Sequence, residues 1–159
     1  MNFEIPKIWC ERINARDLEG VLSLYEENAL LFATFDAQPL GQPEQRRNYF
    51  ENFLKRPGAG VEVDETTLVH SRLSEGAYQA TGLYTFFYQE GDVLVRQHAR
   101  FTFIVSVDQT PLILHHHSSL VPDPNSEELL YPQPYPTKDN ANRTRNTGYL
   151  LLGSPQGFA

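Results

Sequence analysis

The residues best equipped for chemistry stand in one unbroken run, His115-His116-His117-Ser118-Ser119. Imidazole exchanges a proton near neutral pH and ligates metals, while a hydroxyl both donates and accepts hydrogen bonds. Such a run could position a water molecule or stabilise an oxyanion. It lies within Leu112 to Val121, where apolar and β-branched residues flank it and turn residues precede it, a pattern that predicts a strand. Side chains alternate across a strand, so His115, His117 and Ser119 share one face while His116 and Ser118 share the other. Three consecutive histidines therefore cannot all grip one ion.

A tight turn centred on Asp108-Gln109 pairs Val107 with Thr110, which sets Arg100 opposite His117, Thr102 opposite His115 and His98 opposite Ser119. One face becomes a polar stripe, and the other carries Phe101, Phe103, Leu112 and Leu114. Two placements fit. The stripe is the solvated outer face over an aromatic core, or it lines a concave pocket beneath the helices while the aromatic face meets a second subunit. A slip of one residue would exchange the two sets. Zinc is the metal alternative, with His115, His117 and His98 as ligands. Against it, His98 lies beyond His117 and Arg100 would set a positive charge beside the ion, so no metal cofactor is expected.

The elements that must hold this strand are legible as patterns. Ile5, Ile8, Trp9 and Ile13, then Leu18, Val21, Leu22 and Tyr25, recur at helical spacing, with Pro6 in a first turn and Asp17 as an N-cap. The short apolar run from Ala29 to Thr34 reads as a strand or an extended entry into the core. Gln42-Pro43-Glu44 opens a third helix whose apolar side is Tyr49, Phe50, Phe53 and Leu54, and Arg56-Pro57-Gly58 ends it. From Val61 the texture is that of strands: Val61 to Leu73, Ala77 to Gln89, Val93 to Val107 and Leu112 to Val121. Three short turns in succession predict an antiparallel meander. The expectation is an α+β domain over residues 1–122, helices packed on one face of a curved antiparallel sheet, followed by a Pro-rich extension over 123–159.

Composition narrows the partners. Thirteen Lys and Arg against twenty Asp and Glu give a formal charge of −7 with no basic cluster, a surface that repels phosphate backbones and anionic lipid. Neither nucleic acid nor membrane is expected as a partner. The single cysteine, Cys10, excludes an internal disulfide and a Cys-based zinc site. The N-terminal residues lack the basic start and apolar run of a signal peptide, and no stretch approaches the ~20 apolar residues of a membrane span. A reducing cytoplasm is the default location.

Several segments together carry a family resemblance. They are Leu30-Leu31-Phe32-Ala33-Thr34, then Pro43 and Tyr49-Phe50-Glu51-Asn52-Phe53-Leu54, then Gly82-Leu83-Tyr84-Thr85-Phe86, Ala99-Arg100-Phe101-Thr102-Phe103, and the HHHSS run three residues before Pro122. From about Ile8 to Pro122 the chain resembles the association-domain-like branch of the nuclear-transport-factor-2-like superfamily, and within it the iota class of carbonic anhydrases. The resemblance implies a cone-shaped homodimer that hydrates carbon dioxide without a metal ion. It implies Thr34, Tyr49 and Ser119 as the catalytic hydroxyls and His117 as the imidazole; Arg100 and His115, on the same stripe, are further candidates for substrate binding. Two positions depart from the family pattern: Asp36 and Leu40 stand where a serine and an arginine are usual. The rival reading from another class is a non-catalytic association or small-ligand-binding module of the same fold. A small-molecule isomerase or hydrolase would need a poised acid, for which Asp36 is the nearby carboxylate.

Overall fold

A computed structural model describes residues 3–123. The extension expected over 123–159 lies, past Asp123, outside the described residues. The elements run α1 (Ile5–Asn14), α2 (Leu18–Leu22), β1 (Tyr25–Phe32), β2 (Pro39–Leu40), α3 (Pro43–Leu54), β3 (Gly60–Arg72), β4 (Ala77–Glu90), β5 (Val93–Ser106) and β6 (Leu112–Leu120).

Local chemistry explains the helix boundaries. Pro6 sits in the first turn of α1, where its missing N–H costs nothing. Asp17 caps α2 by accepting a hydrogen bond from the Gly20 backbone N–H at 2.8 Å. Gln42 and Gln45 form a reciprocal capping box at the start of α3. Gly58, at φ +64°, makes the turn after that helix, in a region glycine enters without steric cost.

The six strands form one sheet in the order β2-β1-β6-β5-β4-β3. The meander from β3 to β6 is antiparallel throughout, as the short turns predict. The sheet as a whole is mixed, because β1 joins β6 in parallel. Tyr25, read from sequence as the end of a helix, instead opens β1. Pairing along β1 breaks between Tyr25 and Leu30, which strips carbonyls of their sheet partners. Arg46 of α3, 3% exposed, supplies the missing donors: its guanidinium reaches the carbonyls of Glu26 at 3.1 Å and Glu27 at 2.7 Å, and bonds that of Ala29. A buried cation is tolerable there because its N–H groups are hydrogen-bonded.

The core lies between the helices and one face of the sheet. Trp9 and Ile13 of α1 and Phe50, Phe53 and Leu54 of α3 meet Ala99, Phe101, Phe103 and Val105 of β5 and Tyr84 and Phe86 of β4 in one buried cluster. Each fully buried aromatic or aliphatic side chain contributes roughly 1.5–3 kcal/mol. That sum dictates which face of β5 and β6 turns inward. Cys10 is packed in the same cluster, and burial pushes its thiol up to about 12, so it stays a protonated, unreactive filler. No helix among the described residues is long and apolar enough to cross a membrane.

The register of β5 on β6 corrects the sequence expectation. Arg100 pairs with Ser119 and Thr102 with His117, a shift of two residues. The connection runs one residue further, from Ser106 to Leu112, and a bulge interrupts pairing between Ile104 and Val105. Either change alone would exchange the faces of β6. Together they restore the expected alternation, except that Ile113 replaces Leu112 and Leu114 as the buried residue before the histidines.

Candidate functional site

The aromatic face of β5 is the core face, so the residues of β6 that share it turn inward. These are His116, 2% exposed, and Ser118, 5% exposed. His116 sits in an aromatic box, with ring centroids 4.1 Å from Phe103 and 5.4 Å from Trp9. Its Nδ1 lies 2.8 Å from the Tyr25 hydroxyl and its Nε2 3.2 Å from the Tyr84 hydroxyl. Trp9 Nε1–H donates to the Tyr25 oxygen at 3.0 Å. Tyr84 donates to Ser118 Oγ, and Ser118 is hydrogen-bonded to Thr34 Oγ1.

These bonds form a chain whose direction follows from donor counting. Indole N–H donates only, so among the described residues the proton of Tyr25 has a single acceptor within reach, His116 Nδ1. Burial holds the imidazole well below the usual histidine range, with His115 and His117 adding to the effect, so His116 is neutral. Its one proton is therefore on Nε2 and goes to the Tyr84 oxygen. Tyr84 passes its own proton to Ser118. The opposite direction would leave the Tyr25 proton buried without an acceptor, at a cost of about 1–3 kcal/mol. Burial also raises both phenols well above their ordinary range, which keeps Tyr25 and Tyr84 protonated.

The chain ends at the Ser118 and Thr34 hydroxyls, which border a small cavity walled by Trp9, Phe50, Phe53, Phe86 and Tyr49. Whichever of the two hydroxyls donates to the other, one proton of the pair is left for the occupant. The cavity gives the centre of a water molecule about 10 Å3 to occupy, which is room for one water. Tyr49 and Phe53 also border a larger hollow of about 440 Å3 on the same measure, whose polar wall comes from Asp36, Gln38, Gln45, Asn48, Asn52 and Arg56. Burial pushes the Tyr49 phenol up, although the Phe35 backbone and the Arg56 charge pull it down. Tyr49 thus stands protonated between the enclosed inner cavity and the more open outer hollow.

Of the residues nominated from sequence, Thr34 and Tyr49 line the inner cavity together. His117, Ser119, Arg100 and Thr102 do not reach it. They line an open depression of about 310 Å3 on the opposite face of the sheet. There Arg100 Nε donates to Ser119 Oγ at 2.9 Å, and His117 stacks on Phe32 with centroids 5.5 Å apart. His115 lies on the same outer side, 6.0 Å from the Phe32 ring. The expectation that the polar stripe faces a hollow under the helices is therefore corrected. Burying Phe101 and Phe103 outweighs burying a guanidinium and two imidazoles, which would have to be desolvated. The zinc set fails on register, since His98 lies next to Val121 and bonds Thr85 instead, with Oγ1 2.9 Å from Nδ1. Among the described residues no three His, Cys, Asp or Glu side chains converge on one point. Asp36 faces the outer hollow and accepts from the Gln38 backbone N–H at 2.9 Å. Leu40 is buried opposite Leu31. Sequence reading passed over His116, Ser118, Tyr84, Tyr25 and Trp9. The signal for the first two was parity, because they alternate in step with Phe101 and Phe103.

A scan against family models finds no match, and neither does a search of curated protein sequences. Solved structures do match. A candidate calcium/calmodulin-dependent protein kinase II association domain from Xanthomonas campestris is 24% identical at a TM-score of 0.68, over 76% of this chain and 85% of that one. A nuclear-transport-factor-2-like protein of unknown function from Pseudomonas putida KT2440 is 14% identical at a TM-score of 0.63, over 77% and 85%. A ketosteroid isomerase-like protein from Erwinia carotovora atroseptica SCRI1043 is 12% identical at a TM-score of 0.59, over 77% and 100%. The chain has the nuclear-transport-factor-2-like fold.

Proposed function

We propose that this nuclear-transport-factor-2-like chain is a carbonic anhydrase, hydrating carbon dioxide in the inner cavity with Ser118 and Thr34 as the working hydroxyls. The observation that carries the reading is an enclosed, aromatic-walled cavity that meets the Ser118 and Thr34 hydroxyls at the end of the hydrogen-bond chain. The fold hosts enzymes for larger molecules, as the isomerase-like neighbour's name indicates, but here aromatic side chains reduce the inner cavity to the volume of one water. Carbon dioxide and the attacking water together need more room than that, and the space for both opens when Tyr49 or Phe53, which border both hollows, swings aside. The apolarity of carbon dioxide suits the aromatic walls, and the Ser118 and Thr34 hydroxyls stand on the polar part of the lining with Tyr49, Tyr84 and His116.

The chemistry balances without any group beyond substrate, water and buffer. The water oxygen forms a bond to carbon, and the electron pair of one C=O bond moves onto its oxygen. The leftover hydroxyl proton of the Ser118–Thr34 pair meets that oxygen as charge develops. A preorganised donor of this kind is worth about 2.7–4 kcal/mol, or ~10²–10³ in rate. The water's proton cannot enter the chain toward His116, because every bond in it already points outward. It passes instead to a buffer base in the outer hollow. Bicarbonate, charged and poorly suited to aromatic walls, leaves the same way.

Stopped-flow hydration by the purified protein tests the reading. Activity should persist with a chelator, rise with buffer concentration and fall at least ~10²-fold in Ser118→Ala. No hydration above buffer background would end it.

One observation favours a second reading, an association module. The outer sheet face leaves Phe32 and Leu83 each 39% exposed beside His117 and Arg100, and a homodimer built on that face would bury them. Sedimentation of wild type against Leu83→Glu separates dimer from monomer without reference to catalysis.

A further inference from the structure

We infer that the outer hollow is a binding site for a planar oxyanion, held by Arg56. This rests on observations separate from the inner cavity, although it would also give bicarbonate a first stop on its way out. Arg56 lies two residues past the end of α3, and its guanidinium lies near three rings, 4.4 Å from the Tyr88 centroid, 5.1 Å from Phe35 and 5.8 Å from Phe53. The rings pack against the guanidinium, and its N–H groups remain as its route to a hydrogen-bonding partner. Arg12 and Arg47 spend such groups on carboxylates, Arg46 on carbonyls and Arg100 on a hydroxyl. None of the side-chain N–H groups of Arg56 has a hydrogen-bond partner among the described residues.

A rigid guanidinium with free N–H groups matches a carboxylate or bicarbonate in two parallel hydrogen bonds. Arg56 has to supply the attraction, because the chain carries −7 overall, its long-range field opposes anions, and the Asp36 carboxylate borders the same hollow. The structural alternative makes Arg56 only a plate for the rings and a positive charge at the end of a helix. That accounts for the stacking but not for a guanidinium with unspent donors on a residue that lines a hollow of about 440 Å3. The volume also bears on ligand class. Bicarbonate fills a small part of it, whereas an organic acid can lay its body on Phe35 and Leu40 and meet the amides of Asn48 and Asn52. The shared chemistry is the planar oxyanion, and its source is either the inner cavity or a small organic acid from solution.

The test is an NMR titration of the Arg56 side-chain N–H resonances with bicarbonate, propionate and benzoate in turn. Saturable shifts with at least one anion are expected, and their order identifies the source: bicarbonate strongest for a product stop, an organic acid strongest for a separate ligand. Arg56→Lys keeps the charge and loses the fork, and should weaken binding about tenfold or more, followed through the Tyr49 ring resonances. Asn52→Asp, which adds a negative charge to the hollow and leaves the rings intact, should weaken it as well. Ser118→Ala should bind as the wild type does, so that loss of hydration and loss of anion binding are told apart. No saturable shift with any of the three anions, or unchanged affinity in both Arg56→Lys and Asn52→Asp, overturns the proposal.

Discussion

The two faces of β6 carry nearly the same chemistry and put it to opposite uses. Inward, His116 and Ser118 belong to a dry chain of hydrogen bonds that ends at a cavity. Outward, His117 and Ser119 stand one residue along, beside Arg100 and open to water. A hydrogen bond facing water competes with water, whereas one in a low-dielectric interior does not. Residue type therefore says little about a site until its face is known. In this strand the face is decided by the phenylalanines of β5, not by the histidines.

The sharpest way to break this comparison is to remove equivalent atoms from each face. Ser118→Ala should cost at least ~10²-fold in hydration rate, and Ser119→Ala should leave it within a factor of two, since an exposed hydroxyl contributes little. Equal losses, or the reverse order, would return the site to the outer face. Stability should divide along the same line. Phe103→Ala, at 1% exposure, should cost about 3–5 kcal/mol in urea unfolding, and the outer Leu83→Ala less than ~1 kcal/mol in the monomer.

That division also explains what could be read from the residues in advance. The three helices, the four-stranded meander, the N-cap at Asp17 and the opening of α3 at Pro43 follow from local patterns, because caps, turns and periodicity act over a few residues. Tyr25 looks helical in the sequence because Leu18, Val21 and Leu22 continue a helical spacing into it, and the parallel pairing with Ile113 draws it into β1. The inward face of β6 depended on two one-residue irregularities, a longer connection and a bulge, that no local pattern signals. Thr34 and Tyr49 are legible only through the family resemblance, since one follows an apolar strand and the other sits on the apolar side of α3, where packing is the plainer reading. Tyr84 was hidden because a tyrosine in an aromatic strand looks like packing until its hydroxyl is followed to Ser118.

A pH titration of stability sharpens the comparison further. His116 is held well below its ordinary 6.5 by burial, so below that value the unfolded chain takes up a proton that the folded chain refuses. Stability should then fall as pH drops below about 6.5, with a limiting slope near ~1.4 kcal/mol per pH unit for one such group. His115, displaced in the same direction by partial burial and by His117, adds to the slope. His116→Gln should flatten the curve more than His115→Gln does. A curve that rises on acidification would contradict a neutral buried imidazole.

The smallest effect is the most informative about the chain itself. Donor counting from Trp9 requires the proton of neutral His116 to reside on Nε2, and a 15N spectrum of the imidazole reads that directly. In Tyr25→Phe the donor to Nδ1 is gone while Tyr84 remains beside Nε2, so the preference should relax toward a mixture of tautomers without unfolding the protein. The consequence reaches the cavity. With the proton on Nε2 the Ser118–Thr34 pair must present a donor to its occupant, whereas the other tautomer lets Tyr84 accept from Ser118 and reverses the polarity. A wild-type spectrum showing the Nδ1–H form would mean that the pair offers a lone pair instead, and a developing negative charge would find no stabilisation there.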